Sequence, residues 1–178
     1  IVWAGNTFSE KVQGVKTNFD IFSNHSENYG RTFLDSENIR INRGVDAGST
    51  NTANPAIKVN KLGNIFVAWI DNRMGTYDIF LNFSTNKGEN GSWKDYDYWL
   101  DDVKPFGNSL NPVMAIDDNG HVYITLKYDR SALVKNNYNF YFIGGFLDIE
   151  TLQIAGQRVG EACFIATAAY GSPFESHV

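Results

Sequence analysis

The chain has 178 residues, a formal net charge of −5 and a pI near 5.1, and its lysines are scattered, which argues against a nucleic-acid partner. Aromatic residues make up 15% of it, and Tyr, Phe, Val, Ile and Thr recur between Gly, Asn and Asp clusters, a balance that favours strands over helices. No run of 18 apolar residues is present, so no membrane-spanning segment is expected, and the single cysteine, Cys163, excludes an intrachain disulfide.

In chain order, residues 1–6 read as a short buried strand and residues 7–17 as a polar connection. Residues 18–26 form the next predicted strand, 33–42 an outer strand, and 43–54, rich in Gly, Ser, Thr and Asn, a linker between units. Residues 55–60 are a strand, Lys61, Leu62, Gly63 and Asn64 a turn, and 65–71 (IFVAWID) an apolar run expected of a strand covered on both faces. Residues 72–75 turn the chain, 77–84 return it, and 93–100 are expected as the outermost strand. Four strands joined by short turns make an antiparallel meander. The next unit repeats this opening at an offset of 57: Asn54-Pro55 recurs as Asn111-Pro112, Val59 as Ile116, Gly63 as Gly120 and Val67 as Ile124. Its turn is Asp117-Asp118-Asn119-Gly120, followed by strands over 121–128 and 138–147.

A second repeat lies inside the units. Residues 78–93 (DIFLNFSTNKGENGSW) carry a strand, then a polar loop with Ser84, Asn86 and Gly88, then Ser92 and Trp93. Residues 20–33 (DIFSNHSENYGRTF) carry the same pattern 58 positions earlier, with Ser26, Asn28, Gly30, Thr32 and Phe33. Repeats of this period with four strands each are propeller blades, and a β-sandwich is the alternative all-β architecture. The expected organisation is a partial blade over 1–42, whose innermost strand is missing, blades over 43–103 and 104–159, and a tail over 160–178.

Ser26-Glu27-Asn28-Tyr29-Gly30-Arg31-Thr32-Phe33 resembles the Asp-box, or BNR, motif of sialidase-like β-propellers, with Asn for Asp and Phe for Trp. Ser84 to Trp93 resembles it with two extra residues, and residues 67–80 (VAWIDNRMGTYDIF) look like blades of the same family. The resemblance covers residues 1–155 or so and implies a fold. In that family the motif is structural and lies away from the catalytic face. An Asn side chain accepts bonds from its own turn, Gly30 and Gly88 permit positive φ, and Phe33 and Trp93 are expected to fill gaps between blades. A sialidase of this family would need an arginine cluster, one member in an Arg-Ile-Pro segment, and no such segment occurs here.

No catalytic residue is assigned. Arg73 is expected to decorate its turn or pair with Asp71 or Asp78, and the pairs Asp71/Asp78 and Asp117/Asp118 read as solvated turn carboxylates. His25, His121 and His177 are far apart and fit no metal-ligand spacing, so neither metal nor cofactor is expected. Cys163 has no neighbouring His or Asn to activate it.

The tail differs from everything before it. Cys163, Phe164, Ile165, Ala166, Thr167, Ala168, Ala169, Tyr170, Gly171 and Ser172 resemble the CFI-box, a C-terminal segment on secreted or surface proteins of bacteria and archaea, which implies sorting or processing. Residues 160–170 are the apolar candidate for a strand that completes the first blade or is donated to a neighbour. The chain begins at Ile1, so either a leader has been removed or the sequence starts inside a longer protein. The expected function is a secreted or cell-surface, non-catalytic module that binds protein or glycan partners or assembles into an oligomer or filament. The alternative is a fragment of a sialidase-like glycoside hydrolase whose catalytic residues lie elsewhere.

Overall fold

The computed structural model describes residues 1–7, 11–12, 15–16, 18–100, 107–117, 121–129, 138–148 and 153–161. Its first sheet has the order β1 (Val2–Gly5), β4 (Asp20–Ser23), β5 (Ile39–Arg40). The second runs β6 (Thr52–Val59), β7 (Ile65–Asp71), β8 (Asp78–Ser84), β9 (Tyr98–Trp99). The third runs β10 (Asn108–Ile116), β11 (His121–Asp129), β12 (Tyr138–Asp148), β13 (Gln153–Glu161). Every neighbouring pair is antiparallel, as short turns between successive strands require. A small hairpin, β2 (Lys11–Val12) with β3 (Val15–Lys16), lies within the stretch expected to be a plain connection. Among the described residues the chain is thus all-β, in three blade-like sheets of which the first shows one strand fewer.

Register identifies the place of β1. Trp3 faces Phe22 across β1 and β4 as Trp69 faces Phe80 across β7 and β8, so β1 is a second strand, and among the described residues no innermost strand pairs with it. Packing agrees. β10 lies against β6, β7 and β8, while β6 lies against β1 and β4.

The apolar run of β7 is buried on both sides. Phe66, Ala68 and Ile70 join Ile79, Leu81 and Phe83 of β8 in a core shared with Met114, Val122, Ile124 and Leu126 of the third sheet. Val67 and Trp69 turn the other way, into a core with Ile21, Ile39, Ile41, Phe80 and Trp93 that joins the first two sheets. The period-2 alternation of strands sends consecutive residues to opposite cores, which is why the sequence shows an unbroken apolar run.

One inter-sheet tie occurs twice. Thr52 donates its amide to the Phe19 carbonyl at 3.1 Å, and Ser109, 57 residues later, donates its amide to the Tyr77 carbonyl at 2.7 Å. Each bond fastens the start of an inner strand to the residue before or near the third strand of the preceding sheet. A propeller-like succession of blades repeats such a tie; a two-sheet sandwich has no need of it.

The outer strands are shorter than the sequence suggests. Residues 33–42 contain a 3-10 helix, Asp35–Glu37, and only the two residues of β5. Residues 93–100 contain an isolated bridge from Ser84 to Trp93 and the two residues of β9. Side chains hold these segments where a ladder would have done so. Asn24 Nδ2 donates to the Leu34 carbonyl and to Asn38 Oδ1, both at 2.8 Å, and Asn82 Nδ2 donates to the Lys94 carbonyl at 3.0 Å and to Asp97 Oδ1 at 2.9 Å. At the other end, β13 runs through Gly160 and Glu161, which pair with Phe142 and Tyr141, so the first residues of the expected tail belong to the third sheet. Residues 162–178, with the CFI-box-like segment, lie outside the described residues. Among the described residues no helix is long and apolar enough to cross a membrane.

Candidate functional site

The two Ser-x-Asn-x-Gly loops share a hydrogen-bonding scheme centred on serine. Ser26 Oγ accepts from the Gly30 amide at 2.9 Å and the Asn28 amide at 3.3 Å; Ser84 Oγ accepts from Gly88 at 3.0 Å and Asn86 at 3.2 Å. Gly30 and Gly88 have φ of 80° and 79°, in the left-handed region where glycine carries no penalty. In the first loop Asn28 closes the turn: its Oδ1 accepts from the Thr32 amide at 2.9 Å and its Nδ2 donates to Thr32 Oγ1 at 2.7 Å. The two extra residues of the second loop displace that closure. Asn86 donates to Glu89 at 2.8 Å instead, and Ser92 Oγ lies 2.7 Å from Ser84 Oγ.

The aromatic ends of the loops also differ. Trp93 is 5% exposed in the core between the first two sheets, and its Nε1 donates to the Gly88 carbonyl at 3.3 Å. Phe33, its counterpart, is 39% exposed. Between the loops runs a groove of about 290 Å³, where Phe33 and Gly30 from the first face Trp93 and Gly88 from the second across Ile57 and Val59 of β6. The hydrogen bonds described for these loop residues close the turns or fix near neighbours within them.

At the opposite end of the blades the carboxylates are buried. Asp71 is 0% exposed and Asp78 7%, facing each other across β7 and β8, which corrects the expectation of solvated turn groups. Asp71 is covered by Arg73, whose Nε donates to it at 2.9 Å and whose terminal nitrogens reach Asp97 at 2.9 Å and the Arg43 carbonyl at 2.7 Å. The guanidinium also stacks 4.1 Å above the Phe80 ring. Arg73 therefore pairs with Asp71, as one of its expected partners, and with Asp97, 24 residues on. Burial pushes the Asp97 carboxyl up to about 6, against the opposing bonds from Asn82, Arg73 and the Arg43 amide. Burial likewise pushes Asp78 up to about 6, with the Asp71 charge adding to the rise and a bond from Thr76 opposing it.

The first blade solves the same problem differently. Asp20, the copy of Asp78, receives Arg40 Nε at 2.8 Å, Asn42 Nδ2 at 2.9 Å and the Gly48 amide at 2.8 Å. By register Arg40 faces Phe22 where Trp99 faces Phe80, so the second blade has an indole in place of the arginine. The Asp117 turn is a hairpin closed by His121, whose Nδ1 lies 2.7 Å from Asp117 Oδ2 and whose amide donates to Oδ1 at 2.9 Å; Asp118 lies outside the described residues. Among the described residues, no three His, Cys, Asp or Glu side chains come together as a metal site.

Asn24 and Asn82, Asn42 and Asp97 were not singled out by sequence reasoning. The signal was present for the first two, because they occupy the same position of the 58-residue repeat within otherwise apolar strands.

No family model matches the chain, and no curated protein matches it. Among solved structures it is similar to the Hadza microbial sialidase Hz136, at 16% sequence identity and a TM-score of 0.53, over 82% of this chain and 32% of that one. The chain thus spans about a third of that protein's length. At this identity the likeness shows the fold alone, and the fold is sialidase-like and all-β.

Proposed function

We propose that this chain is a secreted or cell-surface, non-catalytic segment of an Asp-box propeller that works as a binding and assembly module. One observation carries the reading: the first sheet stops at β1, whose residues are half-buried, whereas Val67, Ala68 and Trp69 at the matching place in β7 are 0% exposed. Among the described residues β4 is the strand that pairs with β1, so its other edge presents backbone donors and acceptors to an added strand. In this reading the apolar, CFI-box-like tail supplies that strand, to its own first blade or to that of a neighbouring copy. The ion pairing of Arg73 with Asp71 and Asp97, and of Arg40 with Asp20, supports a structural use of these groups over a catalytic one.

The test is mass in solution. Light scattering of the full chain is expected to give an oligomer, and deletion of residues 162–178 to give monomers with the same strand content by circular dichroism. An unchanged oligomer after deletion sinks the assembly reading. A second reading, a piece of a sialidase-like hydrolase, is favoured by the likeness to Hz136. That reading places the catalytic residues outside this chain, so release of fluorophore from a sialoside panel by a longer protein containing this chain, and not by the chain alone, would establish it over the first.

A further inference from the structure

The outer segment of the second blade carries two tyrosines, Tyr96 and Tyr98, on either side of Asp97. Asp97 is anchored inward: its carboxylate accepts from Arg73 at 2.9 Å, from Asn82 Nδ2 at 2.9 Å and from the Arg43 amide at 2.8 Å. Asn82 Nδ2 also donates to the Tyr96 carbonyl at 3.3 Å, which pins the backbone beside the first tyrosine. With Asp97 turned in, the side chains before and after it turn to the other face.

The two phenols meet there. Their ring centroids are 5.1 Å apart with planes inclined at 53°, and their hydroxyls share a hydrogen bond of 2.9 Å that either can donate. Tyr98 is held from behind by Phe83, stacked at 5.8 Å, and Phe83 stacks in turn on Phe66 at 5.7 Å. Phe66 and Phe83 are buried, whereas Tyr96 is 44% exposed, so the row of four rings runs from the core to solvent. One phenol is thus fixed by the core and its neighbour is open to a reagent. In the first blade Ile39 takes the register place of Tyr98, so the pair is not something the blade fold requires.

We propose that Tyr96 and Tyr98 are a site of oxidative cross-linking, joined by a carbon–carbon bond as a dityrosine when the chain meets a one-electron oxidant of the haem-peroxidase class with hydrogen peroxide. Each phenol loses one electron to the oxidant and its hydroxyl proton to water. The two phenoxyl radicals couple through the ring carbons next to those that bear oxygen. The hydrogens on those carbons then move to the oxygens as the rings regain aromaticity. In balance the pair loses two hydrogen atoms, and one peroxide takes up two electrons and two protons to become two waters. The product keeps its hydroxyls side by side across the new bond, an arrangement the hydrogen-bonded pair already has. Rings held in contact also react within one molecule, which favours this pair over encounters between chains. The bond braces an outer edge whose described ladder is the two residues of β9 and the bridge from Ser84 to Trp93. The site uses none of residues 162–178, so it stands or falls apart from the assembly reading.

The test treats the full chain, at high dilution, with a haem peroxidase and hydrogen peroxide, and separates single chains by denaturing electrophoresis. Dityrosine fluorescence is expected in the single-chain band, with a peptide spanning Tyr96 and Tyr98 lighter by two hydrogen atoms. Tyr96→Phe and Tyr98→Phe each keep the ring and remove a hydroxyl, and each is expected to lower that fluorescence about tenfold or more. Tyr29→Phe, on the fully exposed first loop, is expected to leave it unchanged. Absence of the fluorescence, its confinement to bands of two or more chains, or single-chain coupling that survives both Tyr96→Phe and Tyr98→Phe overturns the proposal.

Discussion

Asn54 Nδ2 donates to Asn111 Oδ1 over 2.9 Å, joining the innermost strands of the second and third blades through residues 57 apart in the chain. Both have positive φ, 51° and 53°, both precede a proline, and both mark a shift of register, between Ala53 and Ala56 in β6 and between Leu110 and Val113 in β10. A bulge is where a strand admits proline, since the ladder is already interrupted there. Asn tolerates the left-handed conformation better than most residues. Asn54→Ala is therefore expected to cost about 1–2 kcal/mol in urea unfolding. Asn54→Gly relieves the backbone and is expected to cost less than that. Equal losses would mean that the side-chain bond, and not the backbone, sets the position.

The aromatic ends of the two loops should part in the same assay. Trp93 is 5% exposed among Ile21, Ile41, Val67 and Phe80, and its truncation opens a cavity between two blades. Trp93→Ala is expected to lose about 3–5 kcal/mol. Phe33 is 39% exposed on the groove, and Phe33→Ala is expected to lose about 1 kcal/mol or less. A comparable loss at both positions would overturn the assignment of Trp93 alone to the inter-blade core.

Much of this fold was legible because the repeat is written in the apolar strands. The copies at Asp20 and Asp78 keep the same spacing through Ser26 and Ser84, so both loops and both third strands follow from one alignment. The buried charge network was not legible. Asp97 reaches Arg73 only after a loop two residues longer than its copy, and Arg40 takes the register place of Trp99, so the partners of Asp20 and Asp78 differ although the aspartates match. Outer strands were overestimated for a related reason. Nothing in a local pattern says that Asn24 and Asn82 will satisfy the following segment through side chains.

Acid should stabilise part of this structure. Asp78 moves from an ordinary 3.8 to about 6 and Asp97 likewise to about 6, so the folded state holds these protons more tightly than the unfolded chain. Their contribution is then fully present below the unfolded value and is lost as pH rises through the folded one, between roughly pH 4 and 6. Asp78→Asn removes one of the two groups. It is expected to raise stability at pH 8 by on the order of 1 kcal/mol, discounted for residual solvent access, with little change at pH 4. Urea midpoints at the two pH values decide it. An equal gain at both would assign the effect to packing and not to ionisation.

Arg73 is the group on which that end of the second blade depends. It is 10% exposed and bridges Asp71 and Asp97, whose side chains are both fully buried, while its plane covers Phe80. Arg73→Met preserves most of the volume over the ring and leaves two carboxylates without their cation. Breaking a buried pair in this way is expected to cost about 3–5 kcal/mol. Arg73→Lys keeps the charge and loses the fork that reaches Asp71, Asp97 and the Arg43 carbonyl together, so its cost should be intermediate. Combining Arg73→Met with Asp97→Asn removes one of the stranded charges, and the pair should lose less than the sum of the single changes, by about 1–3 kcal/mol. Strict additivity in the double-mutant cycle would show that Asp97 is held by Asn82 and the Arg43 amide, and that its contact with Arg73 contributes nothing to the fold.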